Sequence, residues 1–578
     1  MASSTVARPA LTASSSRLRV APVASLTFIV PALAVYGLFS IWPAIQVIWL
    51  SFQQWTGYGP AAFDGLANFR QLFADPLFHT SVDHSLLWEA GAVLTVIPGL
   101  AIALLLLRSR HPLPTLALIF LPSLLPATIV AALAVMIYSP LSGPLNTILN
   151  SVGLGQPDWL GDPKMALPAL FAAWLWSTIG IVAVVLWAGL RAIGREFLDL
   201  AAVEGAGPVA TFRYVILPAL RRPLAIAVLV EAALGLQVFD LIFVTTGGGP
   251  GYATVTIPVD IYGRAFGGQP GQGAAEAAIG LLLGLALVGV AITLLGRSPS
   301  LGGFESTDRR ATWPATAWSG IIAVLVLLPL LWLVPAGAES TTAFALGESR
   351  YSLAALGANF AAAWSGGMAG ALLTSLILAA IVVAASLALA FPAAFVLAHA
   401  FPRPLAPVIL GVLLIGLFQP AMVSLIPLFR LLKDLGLLGT PWGIILPEIA
   451  RGLSFGIPIL WIGLAGMTEL LEAGAVDGAG LVRQAWSIAL PLARSALAVA
   501  AVWAFVISWN EYLLPTIVSQ DGSLQTVPTL LATFIGRYNT QYGSLAAGTI
   551  LALVLPLAAW LLAANVASRR LAARGGAR

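Results

Sequence analysis

A chain of 578 residues in which 59% are hydrophobic and only 9% charged, with a mean hydropathy of +0.95, falls outside the soluble globular class, whose charged fraction is near a quarter. Cysteine is absent, which excludes a disulfide framework, thiolate catalysis and Cys-ligated zinc or iron–sulfur sites. The net charge of +4, from 28 basic against 24 acidic residues, becomes informative only along the topology, and no nucleic-acid partner is expected.

Arg8, Arg17 and Arg19 lie in a Ser/Ala-rich tail, residues 1–21, ahead of an apolar run that reaches Leu50. That run is longer than a signal-peptide core and is read as an uncleaved first span. Further runs predict spans at 22–50, 85–107, 113–138, 166–190, 224–245, 274–296, 314–337, 368–398, 405–429, 443–466, 496–518 and 545–567. They are too long and continuous for a lipid-facing barrel, whose strands alternate over about ten residues. The fold class is therefore an all-α polytopic membrane protein with about 12 transmembrane helices. With the N-terminus inside, 20 of the 28 basic residues fall on inner segments, and Arg70, Lys164, Arg264, Arg350, Arg430, Lys433, Arg451 and Arg537 fall outside. This bias places both termini in the cytoplasm.

Two polar stretches interrupt the apolar pattern, each after the fourth span of its half. LDLAAVEGAGPVATFRYVILPALRR begins at Leu198, and LLEAGAVDGAGLVRQAWSIALPLARS begins at Leu470. Gly205 and Gly478 are 273 apart, and so are Pro218 and Pro491. A parallel duplication follows, with six spans in each half: a first unit 22–296, a Ser/Gly/Arg-rich linker 297–313, a second unit 314–567 and a tail 568–578. Glu196 with Asp199, and Glu469 with Glu472, put acids at the start of a short helix, where the macrodipole favours them. Gly205 with Gly207, and Gly478 with Gly480, permit a turn or close approach, and Pro218 and Pro491 redirect the next helix. Matched spacing on the cytoplasmic side favours a docking element for a partner over a plain connector. No reacting groups accompany the acids to suggest catalysis.

Ionisable groups inside spans are functional candidates. Glu231, Asp240, Glu276 and Glu511 stand nearest the predicted spans, with Asp240 and Glu511 in comparable places of the fifth span of each half. Trp509, Asn510, Glu511 and Tyr512 combine ring faces with amide and carboxylate groups, which suits a polyhydroxylated solute. Gln237 and Gln419 join them as path candidates, and helix capping or an interfacial belt are the competing roles. His79, His84, His111 and His399 share no metal-ligand spacing, so no metal site is expected. GGGPG at 247–251 is not a phosphate loop: the chain's lysines, Lys164 and Lys433, do not follow a Gly-rich loop.

The duplicated stretches resemble the EAA loop of permease subunits in binding-protein-dependent ABC importers. The second copy matches at Glu472, Ala473, Val476, Asp477, Gly478, Ala479 and Pro491, and the first at Asp199, Ala201, Val203, Glu204, Gly205, Ala206 and Pro218. Leu200 and Gly474 depart from the family's alanines, and Asp199 and Glu204 exchange acid for acid. FQQWTGYGP at 52–60, GLANF at 65–69 and FDLIFVTTGGGPGYAT at 239–254 resemble the first permease of carbohydrate importers. FPAAFVLAHAFPR at 391–403 and WNEYLLPTIVSQDGSLQTVPTLL at 509–531 resemble its partner permease. The resemblance implies a type I ABC importer permease fold with both maltose/glycerol-phosphate-type units in one chain. It further implies no ATPase site here, ATP and Mg on two partner ATPase subunits (identical or different), and an extracytoplasmic solute-binding protein. The expected cargo is a small-molecule carbohydrate crossing the bacterial cytoplasmic (inner) membrane by alternating access. A polyol, glycerol phosphate or metal complex, or an ATPase-independent carrier, are the alternatives.

Overall fold

The structure, a computed structural model, describes residues 22–57, 59–296, 311–348, 350–401, 405–519, 521–536 and 540–575. The expected tail 1–21, residues 297–310 of the expected linker and the end 576–578 lie outside the described residues, as do Arg403 and Arg537. Among the described residues, eight helices are long and apolar enough to cross a bilayer: Leu26–Ser51, Pro76–Leu106, Ala166–Arg191, Arg221–Thr245, Pro270–Leu287, Trp313–Gly337, Leu353–His399 and Trp442–Ala465. Three bent pairs, Pro112–Leu124 with Ala127–Ile137, Ala406–Gly416 with Ala421–Asp434, and Leu481–Leu492 with Arg494–Trp509, bring the candidates to eleven, and a shorter apolar helix, Tyr542–Ala558, stands where the twelfth is expected. Lipid offers the backbone no partner, so each apolar run satisfies its own amides as a helix. The chain is a multi-pass, all-α membrane protein. The strands found are a two-residue antiparallel pair after the first span, Gln53 opposite Phe63 and Gln54 opposite Ala62.

The two halves interleave. The first span packs on Ala369–His399 and Trp442–Ala465, and the seventh packs on Pro112–Phe120 and Val96–Leu106. Tyr36 makes the first of these contacts specific. Its hydroxyl donates to Val412 O at 2.9 Å and accepts from the Gly416 N–H at 3.0 Å. Val412 and Gly416 are four apart, so the hydroxyl serves both ends of what would be one helical bond. A Cβ on Gly416 would come within 2.6 Å of the Tyr36 oxygen.

The third and ninth spans bend by 93° and 91°. Both bends fall at a proline in extended backbone followed by alanine: Pro126 (φ −52, ψ 141) and Pro420 (φ −58, ψ 136). Proline supplies no amide for the preceding turn and fixes φ, which ends the helix there. Beyond each bend the chain crosses over: Ala127–Ile137 packs on Val527–Phe534, and Ala421–Ser424 packs on Ile257–Phe266.

At the far end of each half's first span, an asparagine closes the helix. Asn68 Nδ2 donates to Ser51 O at 3.0 Å and Gln53 O at 2.8 Å. Asn359 Nδ2 donates to Gly337 O at 2.9 Å and Glu339 O at 2.7 Å. Terminal carbonyls lack intrahelical partners, and these amides supply them. Gly271 and Gly543 make room, because a Cβ there would come within 3.0 Å of Asn68 and 2.4 Å of Asn359.

One expected position is corrected. The span expected at 443–466 forms as Trp442–Ala465 and contains Arg451, so this cation does not belong among the outer ones. Arg430 lies beside the segment that follows the first span, with its guanidinium 5.5 Å from the ring of Trp55.

Candidate functional site

The two polar stretches fold into the same backbone. Nine-residue helices, Arg195–Val203 and Thr468–Val476, carry Glu196 and Glu469 in their first turns; Asp199 and Glu472, expected with them, sit a turn further on. Neither helix has a side-chain cap at its start. Both end in the same pair of hydrogen bonds. Gly205 N–H reaches Ala202 O at 3.1 Å and Ala206 N–H reaches Ala201 O at 2.9 Å, while Gly478 reaches Ala475 O at 3.0 Å and Ala479 reaches Gly474 O at 2.9 Å. This Schellman closure needs a left-handed residue after the helix, which glycine adopts without a Cβ penalty. Gly205 at φ +75 and Gly478 at φ +79 supply it. Gly207 and Gly480 do not share that role: both are extended at φ −66, and a Cβ on either meets nothing within 4 Å.

After the turn, Thr211 and Gln484, again 273 apart, donate to the carbonyls of Ala206 and Ala479 at 3.4 and 2.6 Å. Pro218 and Pro491 then open three-residue helices that follow π-turns, Phe212–Ile216 and Gln484–Ala489. In the second half the chain turns 78° into the eleventh span. Each elbow leaves an apolar ridge in the open: Phe197, Leu200 and Val203 in one, Leu470, Ala473 and Val476 in the other. Val203 and Val476 are 85% and 88% exposed, which is unusual for valine. The acids Glu204 and Asp477 sit beside those valines, also exposed.

The fifth span of each half is broken at a matched place. One helix ends at Gly235 and resumes at Asp240; the other ends at Trp509 and resumes at Leu513. Gln237 turns back to its own helix, donating to Ala233 O at 2.8 Å, and so acts as a cap. Its partner in the repeat, Asn510, has a buried Oδ1 without a hydrogen-bond partner. Glu511 Oε1 accepts the Leu514 N–H at 3.0 Å, and its Oε2 pairs with Arg451. Asp240, from the other half, lies within electrostatic reach of both Glu511 and Arg451.

Rings close over this group. Phe243 lies 6.5 Å from Tyr512, and Tyr262 stands 5.3 Å from Phe239 and 4.7 Å from Phe243. Trp509 is 1% exposed and stacks on Phe505 at 5.6 Å, so it is a packing residue and belongs to neither the path nor an interfacial belt. Gln419 sits at the other break, in the ninth span, bonded to Ser424. Glu231 accepts from Thr178 at 3.2 Å, and Glu276 joins the ion cluster around Arg264, 3.2 Å from its Nε.

Two residues at the break escape the sequence reading. They are Arg451, expected outside, and Glu448, one turn before it. A cation and an acid three apart within the apolar run 442–465 were the available signal, since a charge that deep in lipid-facing sequence has to be paired. The assembled group, one ion pair, further carboxyls and aromatic faces, can bind hydroxyls by hydrogen bonds and sugar-ring faces by flat contact.

No family model matches the chain. A probable ABC transporter permease protein of Pyrococcus horikoshii is 33% identical over 273 residues, which cover 46% of this chain and 92% of that relative. The trehalose/maltose transport system permease protein MalF of Thermococcus litoralis is 32% identical over 252 residues, 43% of this chain and 85% of its own length. Each relative is thus matched almost whole by less than half of the chain. Among solved structures, a bacterial alginate ABC transporter in complex with alginate pentasaccharide-bound periplasmic protein aligns with 46% of this chain and 90% of its own at 20% identity and a TM-score of 0.39.

Proposed function

The chain belongs to the ABC transporter permeases, and on that premise we propose that it unites both permease units of an ATP-driven sugar or oligosaccharide importer in one polypeptide. The observation that carries this reading is the duplicated elbow, with its two Schellman closures and two exposed ridges on one repeat. Two permease-length halves, each with its own elbow, meet the requirement of two force inputs.

The units are 22–296 and 314–567, joined by 297–313. The ridges at Phe197–Leu200–Val203 and Leu470–Ala473–Val476 dock two ABC ATPase subunits, and those subunits bind ATP and Mg and hydrolyse the nucleotide. This chain is the transport subunit and carries no reaction of its own. An extracytoplasmic solute-binding protein delivers the sugar to the opposite face of the bacterial inner membrane, and both termini are cytoplasmic. Asp240, Asn510, Glu511 and Tyr512 at the paired breaks line the route. Closure of the ATPases moves the elbows, and the paired breaks let the fifth spans bend as the access side alternates.

The test is uptake of labelled maltose and trehalose into liposomes holding the full chain, its ATPase subunits and its binding protein. Uptake is expected only with ATP, and ATP-independent uptake sinks the proposal. Gly205→Val and Gly478→Val remove the left-handed turn residue, so each is expected to lower transport-coupled ATP hydrolysis. The binding protein's affinity for sugar should stay as it is.

A further inference from the structure

The seventh span, Trp313–Gly337, is the least buried of the eight long helices, at 22% across its apolar window. Trp313, Trp318, Ile321, Val324, Leu325 and Leu328 are all exposed along it. Its start is stitched to the corner between the second and third spans. Thr312 N–H donates to Arg108 O at 2.9 Å, Arg110 N–H donates to Thr316 Oγ1 at 3.0 Å, and the buried hydroxyls of Ser319 and Ser109 lie 3.1 Å apart. These bonds use backbone and hydroxyl groups only. Ser109 faces the protein, and the arginines on either side of it are exposed.

Among the described residues, neither Arg108 nor Arg110 takes part in an ion pair. A guanidinium holds a phosphate through paired N–H donors, and tryptophan favours the level at which the polar layer of a bilayer meets its hydrocarbon. From Trp313 to Leu328 the exposed apolar face runs for about 22 Å of helix. One leaflet's share of the hydrocarbon core is about 15 Å. A soluble anion would leave that face unused, whereas a phospholipid covers it with its acyl chains. The corner also borders the first elbow: Leu106, Leu107 and Leu116 share one apolar cluster with Ile216 and Leu220 of the elbow and Ala323 of the seventh span.

We propose that Arg108 and Arg110 of the first half, with Trp313 and Trp318 of the second, form a site for an anionic phospholipid at the seam between the halves. The headgroup phosphate lies on the arginine pair, and the acyl chains follow the exposed face of the seventh span. Nothing in this site depends on the solute or on the ATPase subunits.

The chain has no cysteine, so Leu113→Cys, an exposed position beside the corner, takes a single NBD fluorophore. The labelled full chain is reconstituted into phosphatidylcholine liposomes that contain rising fractions of doxyl-labelled phosphatidylglycerol or of doxyl-labelled phosphatidylcholine. Each arginine at a membrane surface is worth about fivefold in anionic-lipid binding. Half-quenching by phosphatidylglycerol is therefore expected at a mole fraction at least about fivefold below that for phosphatidylcholine. Arg108→Gln with Arg110→Gln should bring the two curves together and leave the phosphatidylcholine curve where it was. Coincident curves in the chain that keeps both arginines overturn the site, and so does a preference that survives the double substitution. Displacement of phosphatidylglycerol by inorganic phosphate, against chloride at the same ionic strength, assigns the arginines to a soluble anion and overturns it as well.

Discussion

At the end of each half where its first span finishes and its sixth begins, the same helices meet, held by opposite chemistries. In the first half, Ile257–Phe266 and the start of the sixth span close around a guanidinium that is 5% exposed. Arg264 Nη2 donates to Asp75 at 2.8 Å and to Asp260 at 2.9 Å, Nη1 donates to Gln272 at 2.9 Å, and Nε lies 3.2 Å from Glu276. In the second half, Val527–Phe534 meets the twelfth span in the same way. Ser375 Oγ accepts the Val527 N–H as Ser85 Oγ accepts that of Ile257, both at 2.9 Å. With Ile257 set against Val527, Gly271 against Gly543 and Asn68 against Asn359, the four charged positions Asp75, Asp260, Arg264 and Glu276 fall on Gly366, Leu530, Phe534 and Gly548. There the Phe534 ring, 6% exposed, fills the space, and a Cβ on Gly548 would come within 3.3 Å of it. The position needs to be filled and satisfied; it does not need charge. The ionic version holds only while every partner is present, whereas the apolar version depends on volume alone.

The largest expected effect breaks the ionic version. Arg264→Met leaves three carboxyl groups without their cation and should cost about 3–5 kcal/mol, read as an earlier SDS-unfolding midpoint by circular dichroism. Next comes the transplant of the second half's solution: Asp75→Gly, Asp260→Leu, Arg264→Phe and Glu276→Gly made together. It should be neutral or stabilising by about 1–4 kcal/mol in the same titration, and a loss as large as that of Arg264→Met would show that the charges do more than fill the site. Where the halves share one chemistry, they should respond alike. Asn68→Ala and Asn359→Ala each strand two carbonyls and should each lose about 1–3 kcal/mol, and a clear difference between them would break the equivalence of the two ends.

The smallest effect is in acid. Burial alone would raise the Asp75 carboxyl, but the hydrogen bonds from the Leu77 amide and Arg264 outweigh it and hold the group below its ordinary value. A carboxyl depressed by folding stabilises fully above its unfolded pKa and loses that contribution as pH falls through the folded one. The loss therefore lies below about pH 4. A pH series should show Asp75→Asn with a flatter acid limb than the parent chain.

The span order was legible because long apolar runs admit one backbone solution in lipid. The elbows were legible because a turn that demands glycine leaves that glycine at a fixed offset in both copies. What was hidden depends on distance along the chain. Asp75 and Glu276 reach Arg264 only through the bundle; the local signal is Asp260, four residues before it on the same helix, and an i,i+4 pair is as common on an exposed helix as on a buried one. Arg451 counts as an outer cation only if the predicted span 443–466 is ignored; what the sequence hides is its partner, Glu511, 60 residues further on. The Ala-Asn-Phe at 67–69 was noticed alone; its copy at 358–360 became meaningful only when both asparagines were found closing a first span. The sequence names Asp240 and Glu511, which the fold brings together at the paired breaks; Trp509 beside them is buried against Phe505, because a ring next to a polar cluster says nothing about which way it points.

The interleaving of first spans also sets an order of events during synthesis. The groove formed by Pro112–Phe120 and Val96–Leu106 cannot be filled until the ribosome has passed Gly337, the end of the seventh span. Tyr36 waits longer, since Val412 and Gly416 emerge more than 370 residues after it. The first half is therefore inserted with an open flank, and the tether to the second half ensures that the next matching helix to reach that flank is the chain's own.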